Sequence, residues 1–65
     1  MTIGEQRVRT TFNPSASTDV DRIKQKTAEL IDMCEALKQL DPRLAALAQT
    51  AYEEAAMWAV KVATA

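Results

Sequence analysis

Apolar residues recur at spacings of three and four along the second half of the chain, which predicts one long helix over residues 42–64. Asp41 suits its N-cap and Pro42 its first helical position. The repeating apolar positions are Leu44, Ala48, Ala51, Ala55, Trp58 and Val62, and the stripe is widened by Leu47 and Met57. Because nine of the residues from Leu44 onward are alanine, we expect neighbouring helices to approach this helix closely.

A second helical pattern covers residues 18–40, where Thr18 followed by Asp21 approximates a capping box. Its predicted inward stripe consists of Val20, Ile23, Thr27, Leu30, Cys34 and Leu37, broadened by Ile31 and Met33. Since Asp41 and Pro42 form a short joint, two helices of about 30 Å each should fold back as an antiparallel hairpin. Residues 1–17 are predicted to form a flexible arm with an extended segment, because Asn13 precedes Pro14. The expected fold class is all-α.

The chain of 65 residues makes one small domain, 1–65, and such domains usually need disulfides, a metal or oligomerisation. One cysteine and no histidine argue against an internal disulfide and a Cys/His metal site. Cys34 is interpreted as a small buried hydrophobe. A two-helix hairpin would leave much apolar surface exposed, so the sequence predicts a homo-oligomeric helical bundle.

The charge distribution makes duplex nucleic acid a poor partner, because the net charge is −1. Residues 1–28 carry five Lys/Arg against three Asp/Glu, whereas residues 29–65 carry three against six. An anion site should therefore use the first half. Neither a signal peptide nor a membrane-spanning run is visible, so we expect a soluble protein of a reducing compartment, without a membrane partner.

Enzymatic chemistry is not predicted, because the chain lacks histidine and a Gly-rich phosphate loop. Glu53 and Glu54 are adjacent and would point about 100° apart on a helix. No catalytic residue, metal ligand or cofactor is therefore assigned. The side chains suited to a phosphate are Arg9, Lys24, Lys26, Arg43 and Lys61, and the one suited to stacking on a base is Phe12.

Two of these residues have a structural interpretation beside the functional one. Lys24 adjoins Ile23 at the edge of the apolar stripe, where it either extends its charge into water or meets an anion at a subunit boundary. Phe12 either anchors the arm to the helices or stacks on a ligand. Residue types alone leave both alternatives open.

Three segments carry a resemblance to a known family. RTTFNP at 9–14 resembles an Arg-x-x-aromatic-Asn/His-Pro lead-in, DRIKQKTAELI at 21–31 resembles a first helix with an Ile-Lys pair, and RLAALAQTAYEEAAMWAVK at 43–61 resembles a second helix. Together they are similar to the phage anti-CBASS cyclic-nucleotide sponges and the related helical-hairpin domain of Thoeris anti-defence proteins.

The resemblance implies a compact homohexamer in the cytoplasm of the infected bacterial host. It would sequester cyclic nucleotide messengers without cleaving them and so keep an immune effector inactive. Cyclic dinucleotides would bind between protomers, with the stacking aromatic on Phe12, beside Asn13 and Pro14, and the phosphate-binding lysine on Lys24. Cyclic trinucleotides would use a second pocket near the three-fold axes, with basic positions on Lys61 and near Lys26.

Two departures and two alternatives accompany this resemblance. Phe12 replaces the usual tyrosine and lacks its hydroxyl, and Lys61 stands where some members have arginine, which can bind phosphate bidentately. A cyclic ADP-ribose signal of Thoeris defence is an alternative ligand. The other class is a small helical oligomeric protein-interaction module, which would use the same apolar stripes but has no need of the aromatic lead-in beside Lys24.

Overall fold

The computed structural model describes residues 2–8 and 18–65, and these residues form three helices. They are α1 (Ile3–Val8), α2 (Thr18–Leu37) and α3 (Pro42–Ala63). The prediction of an all-α protein is confirmed over the described ranges. None of the helices there is long and apolar enough to cross a membrane.

The joint between α2 and α3 forms at the predicted place. The Asp41 carboxylate accepts a hydrogen bond from the Leu44 backbone N–H at 3.0 Å, and Pro42 opens the helix. Helix α2 ends at Leu37 rather than at the predicted residue 40. The reason is that the backbone N–H groups of residues 38–40 each donate to the carbonyl three positions earlier, which tightens the chain into turns.

The N-terminal segment is helical where the sequence predicted a flexible arm. Thr2 and Glu5 form a reciprocal cap: the Thr2 hydroxyl accepts from the Glu5 N–H at 3.1 Å, and the Glu5 carboxylate accepts from the Thr2 N–H at 3.0 Å. The Thr2 backbone N–H first, and the Thr2 side chain second, hold the pKa of Glu5 below its ordinary value. The predicted extended segment lies among residues 9–17, outside the described residues.

Helix α1 docks on α2 through an unusually close backbone approach. The Gly4 N–H donates to Asp32 Oδ1 at 2.8 Å. A Cβ at Gly4 would lie 2.0 Å from the Ala28 carbonyl oxygen, so no larger residue fits without a shift of the backbone. This contact brings Val8 into the main buried cluster. The members of that cluster are Val8, Ala28, Ile31 and Ala56, with Ile23 packed against them.

The buried face of α2 partly matches its predicted stripe. Val20 and Cys34 are buried, and the Cys34 thiol is free, as predicted. Ile31, expected only to broaden the stripe, is fully buried, whereas Leu30 and Leu37 are 38% and 49% exposed. The buried face is therefore rotated from the predicted one, toward the side on which α1 docks.

The face of α3 that is buried within the single chain differs from the apolar stripe along the sequence. Ala45, Gln49 and Ala56 are buried against the other helices, while Trp58 is 55% and Val62 78% exposed. The small alanines allow close approach, and Gln49 satisfies its amide by hydrogen bonds, so this face packs inside despite its polar residue. The large apolar residues left exposed on α3 are Leu44, Leu47, Tyr52, Met57, Trp58 and Val62.

Candidate functional site

A cavity of about 430 Å³ lies where the three helices meet, and its charged lining is mainly positive. Arg7 comes from α1, Lys24 from α2, and Glu53 and Lys61 from α3. The apolar part of its wall consists of Val8, Ala56, Met57 and Val60. Cationic heads beside apolar surface are the combination that binds an anion with a flat or apolar body.

The two lysines that line this cavity lie on different helices and have different neighbours. Lys24 is half-buried and follows Ile23, which packs against the core. Lys61 is exposed, and its Nζ lies 5.0 Å from the centroid of the Trp58 ring, within the range of a cation–π contact. The indole therefore helps to orient the Lys61 ammonium.

Arg7 joins α1 to α3 through a set of polar contacts. Its Nε donates to Glu53 Oε2 at 2.9 Å, and its Nη2 lies 2.7 Å from the same oxygen. Nη1 donates to Gln49 Oε1 and Nη2 to Thr50 Oγ1, each at 3.3 Å. The Arg7 side chain is only 25% exposed, so the guanidinium is held in place beside the cavity.

Gln49 links all three helices from a fully buried position. Its amide nitrogen donates to the Ile31 carbonyl at 3.1 Å and to Glu35 Oε1 at 2.9 Å, while its amide oxygen accepts from Arg7. The hydrogen bond from Gln49 first, and that from Lys38 second, hold the pKa of Glu35 below its ordinary value. This network fixes the register in which α1 and α3 line the cavity.

The structure brings together some of the sequence-predicted site residues and separates others. Lys24 and Lys61 line one cavity, although the resemblance assigned them to different pockets. Lys26 lines another cavity of about 510 Å³, beside Ile23 and near Val62 at the end of α3. Among the other predicted positions, Arg9, Phe12, Asn13 and Pro14 lie outside the described residues, and Arg43 is exposed at the start of α3.

Sequence reasoning missed Arg7 and gave Glu53 no role in a site. The pattern Thr2-x-x-Glu5 was a sequence signal for a helix start, and a helix through residue 7 would have placed Arg7 on a structured element. No comparable signal marks the contact between Arg7 and Glu53, since 46 positions separate them.

One protein-family model matches this chain. The family model described as "Acb2/Tad1, hairpin domain" matches residues 2–64. None of the curated proteins or solved structures compared with the chain matches it. The resemblance drawn from the sequence is thus confirmed over nearly the whole chain. The chain belongs to the Acb2/Tad1 hairpin-domain family of anti-CBASS and anti-Thoeris sponge proteins, a membership that implies a phage anti-defence sponge for cyclic nucleotides.

Proposed function

We propose that this chain sequesters cyclic oligonucleotide second messengers, uncleaved, in the cytoplasm of the infected bacterial host and thereby blocks CBASS-type signalling. The preferred ligand class is the cyclic dinucleotides. The observation that carries the proposal is the cavity in which Lys24 and Lys61 meet beside an apolar wall. Family membership supports the sponge activity, and the cavity supports an anionic ligand.

Different residues of the site would contact the phosphates and the bases of the ligand. Ammonium groups of Lys24 and Lys61 would donate charge-assisted hydrogen bonds to phosphate oxygens. Met57 and Val60 offer apolar contact to a ribose or base edge. Phe12 would stack on a base, a contact worth about 1–3 kcal/mol that tolerates changes of base.

The exposed apolar surface of α3 supports assembly into a homohexamer of antiparallel hairpins. Leu44, Leu47, Trp58 and Val62 are each more than half exposed in the single chain. We expect other copies of the chain to cover these exposed apolar side chains. A two-fold interface would present two Lys24 and two Phe12 side chains to the two phosphates and two bases of one ligand.

Cyclic trinucleotides are a second ligand class for this proposal. Lys61 and Lys26 line different cavities of one chain. A trinucleotide pocket using both positions would therefore combine residues from neighbouring protomers. Such a pocket suits a three-fold assembly, in which each position is repeated around the axis.

Two other functions would use the same features. A cyclic ADP-ribose messenger of Thoeris defence also presents phosphates and an aromatic base, so it suits the same lysines. A protein-interaction module would instead use the exposed apolar face of α3, which is the observation that favours it. The cyclic ADP-ribose sponge would bind its small anionic ligand at Lys24, whereas the protein-interaction module would not need Lys24 for an anion.

Titration calorimetry with cyclic dinucleotides tests the role of Lys24. The change Lys24→Ala should weaken binding roughly 10- to 100-fold, because a hydrogen bond to a charged group contributes about 1.5–3 kcal/mol. Arg43→Ala is the control, since Arg43 is exposed at the start of α3 and also removes one positive charge. Unchanged affinity in Lys24→Ala, with wild-type oligomeric state, would refute the assignment.

A further inference from the structure

Glu53 places a carboxylate in the wall of the cavity that also contains Lys24 and Lys61. An unpaired carboxylate there would repel the phosphates of a ligand. Arg7 contacts one oxygen of Glu53 through both Nε and Nη2, at 2.9 and 2.7 Å. The Glu53 carboxylate therefore lines the cavity while it is paired with the Arg7 guanidinium.

We infer that Arg7 masks the negative charge of Glu53, so that the cavity presents the net charge of its two lysines to an anionic ligand. This inference rests on the proposed function, because it concerns the same cavity. Among the described residues, the lining contains three cationic side chains and one carboxylate, which gives a formal net charge of +2. Arg7 is thus a positioning residue whose effect on the ligand is electrostatic.

The hydrogen-bond partners of Arg7 support masking over direct ligand binding. A guanidinium has five N–H donors. Three of them donate to Glu53, Gln49 and Thr50, and Nη2 also lies 2.7 Å from the Glu53 carboxylate. Most donors of the guanidinium are therefore directed at protein groups, whereas each lysine ammonium carries three donors.

Masking and a purely structural latch make opposite predictions for Glu53. If the ion pair only fastens α1 to α3, then breaking it from either side should weaken ligand binding. If Arg7 masks Glu53, then removing the carboxylate should strengthen anion binding, because the positive lining loses its one opposing charge. Three variants separate the two: Arg7→Gln, Glu53→Gln and the double variant.

The variants change the formal charge of the cavity in a graded way. Arg7→Gln lowers it to +1, Glu53→Gln raises it to +3, and the double variant returns it to +2. Masking predicts the order of affinity as Glu53→Gln first, then the wild type and the double variant together, and Arg7→Gln last. Glu54→Gln is the matched control, since it makes the same charge change on an exposed residue outside the cavity lining.

Inorganic pyrophosphate is a suitable probe, because it carries the charge of the ligand without its bases. Its dissociation constant is measured by nuclear magnetic resonance titration at neutral pH and low salt, following the Lys24 and Lys61 side chains. Each unit of cavity charge should change the affinity roughly three- to tenfold. The thermal midpoint and oligomeric state of each variant are recorded alongside.

The outcomes distinguish the inference from the proposed function. Weaker binding in Glu53→Gln than in the wild type would overturn masking and favour the latch. Absence of saturable pyrophosphate binding at the two lysines, or equal affinity in all variants, would also overturn it. A parallel titration with cyclic dinucleotides tests the proposed function separately. If they do not bind while pyrophosphate follows the predicted order, masking stands and the proposed ligand is wrong.

Discussion

The substitution Gly4→Ala should loosen the docking of α1, although alanine is the better helix former. A Cβ at this position would lie 2.0 Å from the Ala28 carbonyl oxygen and 2.9 Å from its Cα, both backbone atoms that cannot rotate away. Ordinary contact begins at 3.4 Å, so α1 must withdraw from α2 by about 1.4 Å. The close approach between the two helices would then be lost.

The magnitude follows from the hydrogen bond that this displacement breaks. The Gly4 N–H lies 2.8 Å from Asp32 Oδ1, and a withdrawal of that size would take the pair out of hydrogen-bond range. Losing a bond to a charged acceptor costs about 1.5–3 kcal/mol, while alanine in place of glycine returns about 0.5–1 kcal/mol. The net loss of docking free energy should be about 1–2 kcal/mol.

Amide hydrogen exchange over residues 3–8 measures this loss directly. Docking weakened by that amount should speed exchange in α1 roughly 5- to 30-fold, with little change in the buried part of α3. Gln6→Ala is the control, because Gln6 is exposed on the same helix and alanine there meets no backbone. Equal or slower exchange in Gly4→Ala would show that the close contact with Ala28 does not determine the docking.

Two further predictions concern the buried network around Gln49. Gln49→Ala should lower the free energy of unfolding by about 2–4 kcal/mol in urea titrations at fixed protein concentration, because it leaves a cavity and removes the hydrogen bonds to Arg7, Ile31 and Glu35. The lowered pKa of Glu35 should make the free energy of unfolding fall in acid. The contribution of the Glu35 carboxylate is complete above the carboxyl pKa of the unfolded chain. That contribution is lost as the pH falls through the lower pKa of the folded protein. Glu35→Gln should therefore flatten the acid limb of the stability curve.

Each of these predictions has its own control and contradiction. Gln39→Ala removes an exposed amide in the turn after α2 and should change stability by a few tenths of a kcal/mol. A similar loss in both glutamine variants would mean that the buried amide makes no special contribution. An acid limb of equal slope in the wild type and Glu35→Gln would show that other carboxyl groups carry the pH dependence.

The helical framework was predictable because its signals are local. Asp41 and Pro42 mark the start of α3 by residue type alone, and the structure confirms the cap. Helix α1 escaped prediction because six residues are too few for a helix that is stable alone in water. It persists through docking, and its one local signal was the Thr2-x-x-Glu5 cap.

The orientation of α3 was not predictable from its apolar pattern. Alanine occupies so many positions that several faces are equally able to pack, and the stripe that contains the large residue Trp58 stays exposed in the single chain. The choice is made by Gln49, whose amide finds partners on α1 and α2. These partners are distant from Gln49 in sequence. A hydrophobic pattern therefore does not show that this polar residue is buried between the helices.

The candidate site could be predicted only in part, because some of its residues are brought together by contacts between segments that are distant in sequence. Lys24 lies at the edge of the core, where the sequence placed it, and Lys61 was identified as cationic at a similar boundary. Their meeting in one cavity depends on the packing of α2 against α3. The participation of Arg7 and Glu53 depends on the docking of α1, which the sequence did not predict.

Native mass spectrometry of the purified chain tests the central claim most directly. The protein is sprayed alone and with cyclic dinucleotides, cyclic trinucleotides and cyclic ADP-ribose isomers, and the bound ligand is weighed again after denaturation. The sponge proposal predicts a hexamer that gains discrete nucleotide masses and releases them uncleaved. A hexamer that binds none of these ligands would contradict it and favour a protein partner for the exposed face of α3.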